Sequence, residues 1–296
     1  MPDSSNLKLL FVINPVAGPN DESWEDIIRT FFEGKLFKVE YFILSIIPDI
    51  NAIMQKIKEF SPAKVIAVGG DGTVTMIAKI VAQTKSALGI LPAGSANGMA
   101  KELNIPVATD AALDIILNGD IRCCDAIKIN NKDICLHLSD IGLNAQLIKY
   151  FDEGKVRGKL GYGKVILKTL WHKQKMQVIL QVKGQEIRRN AFMVVLANAS
   201  KYGTGAVINP TGELDDGAFE VVIVRKLAVS ELLKMLFRPQ PFNPKKIETF
   251  SATSIKLETV HAVHFQIDGE YLGKIKTLNA AILPDYINLV LPKIIS

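Results

Sequence analysis

The chain has 296 residues, of which 48% are hydrophobic and 22% charged, and its formal net charge is +5. This composition supports a sizeable core in one or two domains and excludes a disordered chain. The charge is too small to indicate nucleic acid binding on its own, although it is compatible with anionic substrates or a membrane surface.

The cysteines and the apolar runs bear on the compartment. Cys123, Cys124 and Cys135 have an odd count and no metal-ligand spacing, so we expect free thiols in a reducing compartment. The first residues have no basic stretch ahead of their apolar run, and no apolar run approaches the ~18 residues of a membrane-spanning helix. The sequence predicts a cytoplasmic protein, at most peripherally associated with a membrane.

The first part of the chain alternates short apolar runs with helical patterns. Strands are predicted at residues 7–14, 37–45, 63–70 and 87–94, and amphipathic helices at 22–33, 50–60 and 73–83. Continuous apolar strands separated by helices are typical of an open parallel sheet that is covered on both faces. We therefore predict an α/β domain over residues 1–121.

The pattern changes near residue 122 to one that is mainly antiparallel β. An alternating run within 176–200 is interrupted by the turn Lys183-Gly184, and helical patterns occur near 158–171 and 229–237. Further strand candidates lie at 217–226, 254–259, 263–273 and 278–284. We predict a β-rich second domain over 122–281, with 282–296 completing the first domain.

Three predicted strands of the first domain end in glycine-containing loops. These are "NPVAG" (14–18), "GGDGT" (69–73) and "PAGSANG" (92–98). Each loop alone is compatible with ordinary turn and helix-capping chemistry. Ligands of open parallel sheets bind at the carboxyl ends of the strands, and backbone N–H groups there can hold phosphate. Three such loops favour a phosphate site, although none fits the dinucleotide or P-loop pattern.

The loop 69–73 contains an acid, Asp71, whose negative charge would repel bound phosphates. A bound Mg²⁺ would compensate the repulsion, and an acceptor hydroxyl would give the carboxylate a proton to accept. The alternative is that Asp71 only caps a turn or a helix. The sequence leaves both open.

These motifs together resemble the diacylglycerol kinase catalytic-domain family, which includes bacterial diacylglycerol kinases, sphingosine kinases and ceramide kinases. The resemblance covers nearly the whole chain. It rests on Asn14-Pro15, "GGDGT" (69–73), "LGILPAGSANGMAKEL" (88–103), "ANASKYGTGAVINPTGELDDGAFEVVIV" (197–224) and "IDGEY" (267–271). "GGDGT" alone is shared with NAD kinases and phosphofructokinases, whereas the ordered set is specific.

The resemblance implies an ATP- and Mg²⁺-dependent lipid kinase with an α/β nucleotide domain, a β-sandwich domain and an active site in the cleft between them. The residues that match the family's ATP-binding positions are Asn14, Ser45, Gly69, Gly70, Asp71, Gly72, Thr73, Gly94, Ser95 and Asn97. Glu270 matches the family's proton acceptor, with Asp268 as its close catalytic partner. Asp71 is the expected acid at the phosphates and a competitor for the role of proton acceptor. Glu213, Asp216 and Ala218 match a Mg²⁺ site in bacterial members, formed by one Asp side chain and two backbone carbonyls.

One departure affects the substrate. Many members have Gly-Thr-x-Asn-Asp in the loop that corresponds to 92–98, whereas this chain has Gly94-Ser95-Ala96-Asn97-Gly98. The missing Asp resembles the sphingosine kinase loop, so the sequence leaves diacylglycerol and a sphingoid base open. An NAD kinase and a catalytically silent nucleotide- or lipid-binding regulator are the alternatives. The first lacks support in the Gly-rich segment of the second half, and the retained acids argue against the second.

The expected partners follow from this reading. A lipid alcohol is the substrate, no nucleic acid partner is expected, and a homodimer is left open. The segment 149–175 interleaves lysines with aromatic and aliphatic residues, a composition that suits an anionic membrane interface but also a solvated helix with one core face.

Overall fold

The computed structural model describes residues 7–18, 23–152, 175–201, 207–228, 230–231, 234 and 242–293. Backbone contacts divide the chain into two compact units, residues 1–124 with 285–296 (unit 1) and residues 125–284 (unit 2). The domain limits expected from the sequence, after residues 121 and 281, remain predictions. The helix predicted at 158–171 lies outside the described residues, and the one at 229–237 is described only at three positions.

Unit 1 is built on a parallel sheet whose strands alternate with helices. The strands are β1 (Leu7–Ile13), β2 (Phe37–Ile43), β3 (Lys64–Gly69) and β4 (Ala87–Pro92). The helices are α1 (Trp24–Phe32), α2 (Ile50–Phe60), α3 (Asp71–Val81), α4 (Gly98–Glu102) and α5 (Thr109–Asn118). The strand order is β4-β3-β1-β2, and the end of a long later strand pairs with β4 in parallel through Leu289 and Leu88.

The burial of these strands explains their sequence. Every residue of β3 and β4 is buried, as are the last five of β1, whereas β2 at the sheet edge is only half-buried. Side chains of successive strand residues point to opposite faces, so a run without polar alternation requires cover on both faces. The predicted parallel sheet flanked by helices is confirmed.

Unit 2 is mainly antiparallel. β5 (Asp120–Ile129) leads into it, followed by β6 (Asp133–Cys135), β7 (Leu138–Gly142), α6 (Leu143–Asp152), β8 (Met176–Val182), β9 (Gln185–Ala191), β10 (Met193–Ala197), β11 (Phe219–Val224), β12 (Ile247–Ala252), β13 (Ser254–Ile267) and β14 (Glu270–Leu291). The order is β12-β11-β10-β7-β13-β14, with β8 and β9 joined to β13 and with β5 and β6 joined to β14. The predicted antiparallel β domain is confirmed.

Two core clusters lie on opposite faces of the central strands of unit 2. Val221 and Ile223 of β11 belong to one cluster, while Val222 and Val224 belong to the other. β10 divides in the same way, with Val194 and Val195 in different clusters. Both strands are therefore buried on two faces, which accounts for their uninterrupted apolar runs.

Two tight hairpins set the strand register in unit 2. Lys183 and Gly184 connect β8 to β9 with φ of 50° and 76°, which confirms the predicted turn. Asp268 and Gly269 connect β13 to β14 with φ of 49° and 88°, and Ile267 pairs with Glu270 across the turn. Positive φ at both central residues is the type I′ geometry that favours Asp-Gly.

None of the described helices is both long and apolar enough to cross a membrane. Cys124 and Cys135 are buried, and Cys123 is partly buried.

The ion pair between Arg189 of β9 and Glu248 of β12 gives a prediction for stability. It is bidentate, with N–O distances of 2.7 and 2.8 Å, and Arg189 lowers the pKa of the Glu248 carboxyl. The stabilisation is therefore full above the usual glutamate pKa and is lost as the pH falls through the lowered one. We expect Glu248→Gln to cost ~0.5–1 kcal/mol at pH 7 in urea unfolding, and less at pH 4.

The matched control is Glu186→Gln, which removes the more exposed pair with Arg188 on β9. This variant should unfold like the wild-type protein at both pH values. Equal losses for the two variants, or a Glu248→Gln loss that does not depend on pH, would contradict the assignment.

Candidate active site

The loops after β3 and β4 are in direct backbone contact. A Cβ placed on Gly94 would lie 2.5 Å from Cα of Gly70, and one placed on Gly70 would lie 3.2 Å from Cα of Gly94. The N–H of Ala93 also donates to the carbonyl oxygen of Gly69 at 2.9 Å. A side chain at Gly94 is thus excluded by neighbouring backbone, so both loops must keep glycine to approach each other.

Asp71 joins the same two loops through its side chain. One carboxylate oxygen accepts the N–H of Gly98 at 2.9 Å, and the other accepts the N–H of Met99 at 3.0 Å. These are the first two N–H groups of α4, which have no partner within the helix. Asp71 therefore caps a helix that begins 27 residues further along the chain (71 to 98).

Asn14, which follows β1, connects the loop after β1 to this pair. Its Nδ2 lies 3.2 Å from Oγ1 of Thr73 and donates to it, while its Oδ1 accepts the N–H of Val16. Thr73 is buried in the first turn of α3. The structure therefore brings the predicted residues Asn14, Asp71 and Thr73 together with the glycines.

The remaining residues of the loop after β4 form a buried support, Asn97, and an exposed tip, Ser95. Asn97 is buried, with φ of 49°, and its side chain both accepts the N–H and donates to the carbonyl oxygen of Gly94, each at 2.8 Å. Ser95 lies at the exposed tip. Asn97 therefore fixes the loop shape, whereas Ser95 is accessible to a ligand.

The first turn of α3 offers backbone N–H groups beside open space. Its N-cap is Gly70, which provides no side-chain cap, and a Cβ on Gly72 would meet no atom within 4 Å. An anion can approach uncapped N–H groups at a helix N-terminus, where the helix dipole also favours negative charge. The glycines and hydroxyls present therefore fit the phosphates of a nucleotide.

Ser45 follows β2 at the same edge of the sheet. Its hydroxyl donates to the carbonyl oxygen of Ile47 at 2.6 Å and so closes a short turn. This bond occupies the proton of the Ser45 hydroxyl. The contact of Ser45 with a nucleotide remains a prediction.

In unit 2 the predicted metal-binding residues lie on one exposed turn before β11. Asp216 accepts the N–H of Ala218 at 3.0 Å, and Glu213 is also exposed. Among the described residues there is no cluster of three His, Cys, Asp or Glu side chains that could hold a metal. A site made from one carboxylate and two carbonyls needs no such cluster, and its oxygen donors fit Mg²⁺.

Asp125, which belongs to none of the sequence motifs, anchors this turn. It is buried, its carboxylate accepts the N–H of Gly217 at 2.7 Å, and its own N–H donates to the carbonyl oxygen of Leu214 at 2.7 Å. The available signal was an acid inside the apolar run of β5, since buried carboxylates need partners.

Several carboxylates lie close together at this turn. Burial raises the pKa of Glu220, and the charges of Asp216 and Glu213 add to this, against a hydrogen bond from Asn209 that lowers it. Asn209 is fully buried, and its Oδ1 has no hydrogen-bond partner among the described atoms. Carboxylates that lie close together repel one another, and a bound cation relieves this repulsion.

The hairpin between β13 and β14 carries the last two predicted residues. The Asp268 carboxylate accepts the N–H groups of Leu136, His137 and Leu138 at 2.9 to 3.2 Å and a weaker bond from the Cys135 thiol. Glu270, two residues later, is exposed. The structure therefore uses Asp268 to hold the hairpin and leaves the Glu270 carboxylate accessible.

A buried acid that no sequence motif indicated also supports this hairpin. Asp140 of β7 accepts the N–H of Ala145 and a hydrogen bond from the side chain of Gln266, and Gln266 in turn accepts the N–H of Gly269 at 2.8 Å. Asp140 and Gln266 are almost fully buried. A chain of satisfied buried polar groups therefore ends at the residue next to Glu270.

Unit 2 also contains a cavity of about 680 Å³. Its lining includes apolar side chains, Leu143, Met176 and Phe192, together with Lys175 and Lys274. This combination accommodates both an apolar chain and a polar group. The predicted basic and aromatic segment 149–175 lies largely outside the described residues.

The comparisons with known proteins cover both units. The family model "Diacylglycerol kinase catalytic domain" matches residues 8–129, and the model "YegS C-terminal NAD kinase beta sandwich-like domain" matches residues 139–291. "Probable lipid kinase YegS" of Escherichia fergusonii is 26% identical over 96% of this chain and 95% of its own length. "Probable lipid kinase YegS-like" of Chromohalobacter salexigens is 29% identical over 81% of this chain and 80% of its own.

A solved structure shows the same fold. The crystal structure of a putative diacylglycerol kinase from Bacillus anthracis superposes with a TM-score of 0.75 over 96% of both chains, at 23% identity. With family models matching the larger part of the sequence and relatives that span it, the chain belongs to the diacylglycerol kinase catalytic-domain family of lipid kinases.

Proposed function

We propose that this protein is an ATP- and Mg²⁺-dependent lipid kinase that transfers the γ-phosphate of ATP to the hydroxyl of a lipid alcohol, diacylglycerol or a sphingoid base. The observation that carries the proposal is the junction of the two glycine loops. At this junction the N–H groups of the first turn of α3 have no side-chain cap, and they lie beside the open space over Gly72. The names of the relatives, lipid kinases of the YegS type, support the choice of a lipid acceptor.

In this proposal the residues of unit 1 hold the nucleotide. The α3 N–H groups and the Ser95 hydroxyl bind phosphate oxygens. The hydrogen bond from Asn14 to Thr73 holds the loop after β1 against the first turn of α3. Phosphoryl transfer requires positioning and charge stabilisation more than covalent chemistry by the protein. We assign Asp71 to holding the two loops, because both of its oxygens already accept backbone N–H groups.

Glu270 is our candidate for the residue that accepts the proton of the lipid hydroxyl. It is exposed, and it lies beside a turn that Asp268 and Gln266 hold in place. A base must reach the proton that it removes, and a rigid turn fixes its position. The expected active site between the two domains and the cavity of unit 2 as the lipid site are parts of the same proposal.

Asp216 and the carbonyls of Glu213 and Ala218 would hold a Mg²⁺, with Asp125 fixing the turn beneath them. Bound Mg²⁺ neutralises negative charge in a phosphoryl-transfer enzyme. The carboxylates of Glu213 and Asp216 near Glu220 support a cation at this turn. A cytoplasmic location and peripheral contact with a membrane complete the proposal.

The role of Glu270 as proton acceptor is tested by the variant Glu270→Gln. With γ-labelled ATP, Mg²⁺ and a lipid extract in mixed micelles, we expect the wild-type protein to label a lipid. The variant should lose ~10²–10⁴-fold in rate, because the proton acceptor is gone, while its ATP affinity is unchanged. Label on NAD instead of lipid would contradict the lipid kinase and support an NAD kinase.

A matched comparison separates chemistry from folding. Asp268→Ala should lower the free energy of unfolding by ~1–3 kcal/mol, because it leaves several backbone N–H groups without an acceptor. Glu270→Gln should leave it unchanged. If the Glu270 variant is destabilised as much as the Asp268 variant, the assignment of separate tasks is wrong.

The nucleotide site is tested by two glycine substitutions. Gly94→Ala should destabilise unit 1, because its Cβ would collide with Gly70. Gly72→Ala meets open space and should leave thermal stability unchanged or slightly higher, since alanine favours a helix. We still expect Gly72→Ala to weaken ATP binding ~tenfold in calorimetry, because its methyl group occupies the space proposed for phosphate. Full ATP affinity in Gly72→Ala would place the nucleotide elsewhere.

The metal site is tested by thermal unfolding with and without Mg²⁺. A ligand that binds only the folded state stabilises by ~2.7 kcal/mol at a concentration of 100 times its Kd. We expect Mg²⁺ to raise the Tm of the wild-type protein and of Asp215→Ala, which changes the exposed neighbour on the same turn. Asp216→Ala should show no such rise. A Mg²⁺ response that survives Asp216→Ala would rule out this turn as its origin.

A further inference from the structure

The loop after β2 exposes an apolar surface at the edge of the sheet where the glycine loops lie. Ile46 is 100% exposed and Ile47 is 85% exposed, and Ile43 and Ile50 on either side are also exposed. Residues 43–48, "ILSIIP", contain no charged side chain. Single exposed apolar residues are ordinary, whereas a contiguous group of this kind marks an interaction surface.

The neighbouring loop extends this surface. β1 and β2 are paired in parallel with Ile13 opposite Ile43, so Val16 and Ile46 each stand three residues beyond a register pair (16 − 13 and 46 − 43). Val16 is 89% exposed. The apolar tips of two adjacent loops thus project from the same edge, and we call Val16, Ile46 and Ile47 the apolar tip.

The main chain holds the apolar tip in place. Leu44 is buried and donates its N–H to the carbonyl oxygen of Ile13, and the Ser45 hydroxyl closes the turn onto Ile47. On the other side, Asp49 caps α2 by accepting the N–H of Ala52. The isoleucines are therefore displayed on an anchored loop, and their exposure does not come from a lack of local structure.

We propose that the apolar tip inserts into a lipid bilayer and docks the kinase on the membrane that contains its substrate. The inference rests on the proposed function, because a lipid alcohol with long chains is delivered from a bilayer. It fits the position of the tip at the carboxyl edge of the β1–β3 strands, where Ile13 also pairs with Val68 next to the GGDGT loop. Insertion at this edge brings the nucleotide loops to the lipid surface.

The test measures binding of the full chain to vesicles of equal parts phosphatidylcholine and phosphatidylglycerol, without ATP. We expect the double variant Ile46→Ser, Ile47→Ser to lose at least ~tenfold in vesicle affinity, since each buried isoleucine stabilises the bound state. The matched control is Leu36→Ser, which changes a 74% exposed apolar residue just before the other end of β2. This control should bind vesicles like the wild-type protein.

A second variant reports insertion directly. Ile47→Trp should shift its fluorescence to shorter wavelength when vesicles are added, because the indole enters an apolar environment. No shift, equal vesicle affinity of the double variant and the wild type, or no vesicle binding by the wild type would each overturn the proposal.

Two further measurements assign the surface to another occupant if the proposal is wrong. Loss of Mg²⁺-ATP affinity in the double variant would assign the tip to the nucleotide site. A wild-type dimer that dissociates in the double variant would assign it to a second copy of the chain. Either outcome overturns the membrane assignment.

Activity on a short-chain lipid alcohol dissolved as monomers separates this inference from the proposed function. We expect the double variant to phosphorylate it within about twofold of the wild-type rate, because no membrane is needed. If neither protein phosphorylates any lipid while the difference in vesicle binding persists, the kinase proposal fails and the docking surface stands.

Discussion

The capping of α4 by Asp71 is the interaction on which the candidate nucleotide site depends. One short side chain satisfies two N–H groups of a helix in the next loop, and the glycines beside it allow the two backbones to touch. Charge-assisted hydrogen bonds to a carboxylate are among the stronger interactions of this kind. Because the two loops follow neighbouring strands, this junction sets the shape of the edge at which ligands of parallel sheets bind.

The same use of acids recurs in unit 2. Asp125, Asp140 and Asp268 each accept backbone N–H groups that their turns leave without a partner. Glu270 and Asp216 are exposed at turns held by these acids, of which Asp125 and Asp140 are buried and Asp268 is half-buried. The carboxylates that accept backbone N–H groups thus provide rigidity, and the exposed ones remain accessible to a substrate or a metal, as a site that positions reacting groups requires.

Much of the architecture was accessible from sequence because it depends on local rules. The continuous apolar strands, the Lys183-Gly184 turn and the change from parallel to antiparallel strands were all predicted correctly. The length of β14, with 22 residues, was not, because strand continuation through its polar positions depends on pairing partners distant in sequence. The tasks of Asp71 and Asp268 were left open, since a capping acid and a reacting acid look alike in a linear motif. Asp125 was missed because its partner Gly217 lies 92 residues away, and Asp140 because its bond with Gln266 spans 126 residues of sequence.

Amide hydrogen exchange with and without saturating Mg²⁺-ATP reports on the Asp71 junction and on the phosphate site in one experiment. We expect the amides of Gly98 and Met99 to exchange slowly in the free protein, because Asp71 already accepts them. We expect the amides of residues 71–73 to become protected only when ATP binds. Fast exchange at Gly98 and Met99 in the free protein would show that Asp71 does not hold the loops, and no change at 71–73 on ATP binding would show that the phosphates bind elsewhere.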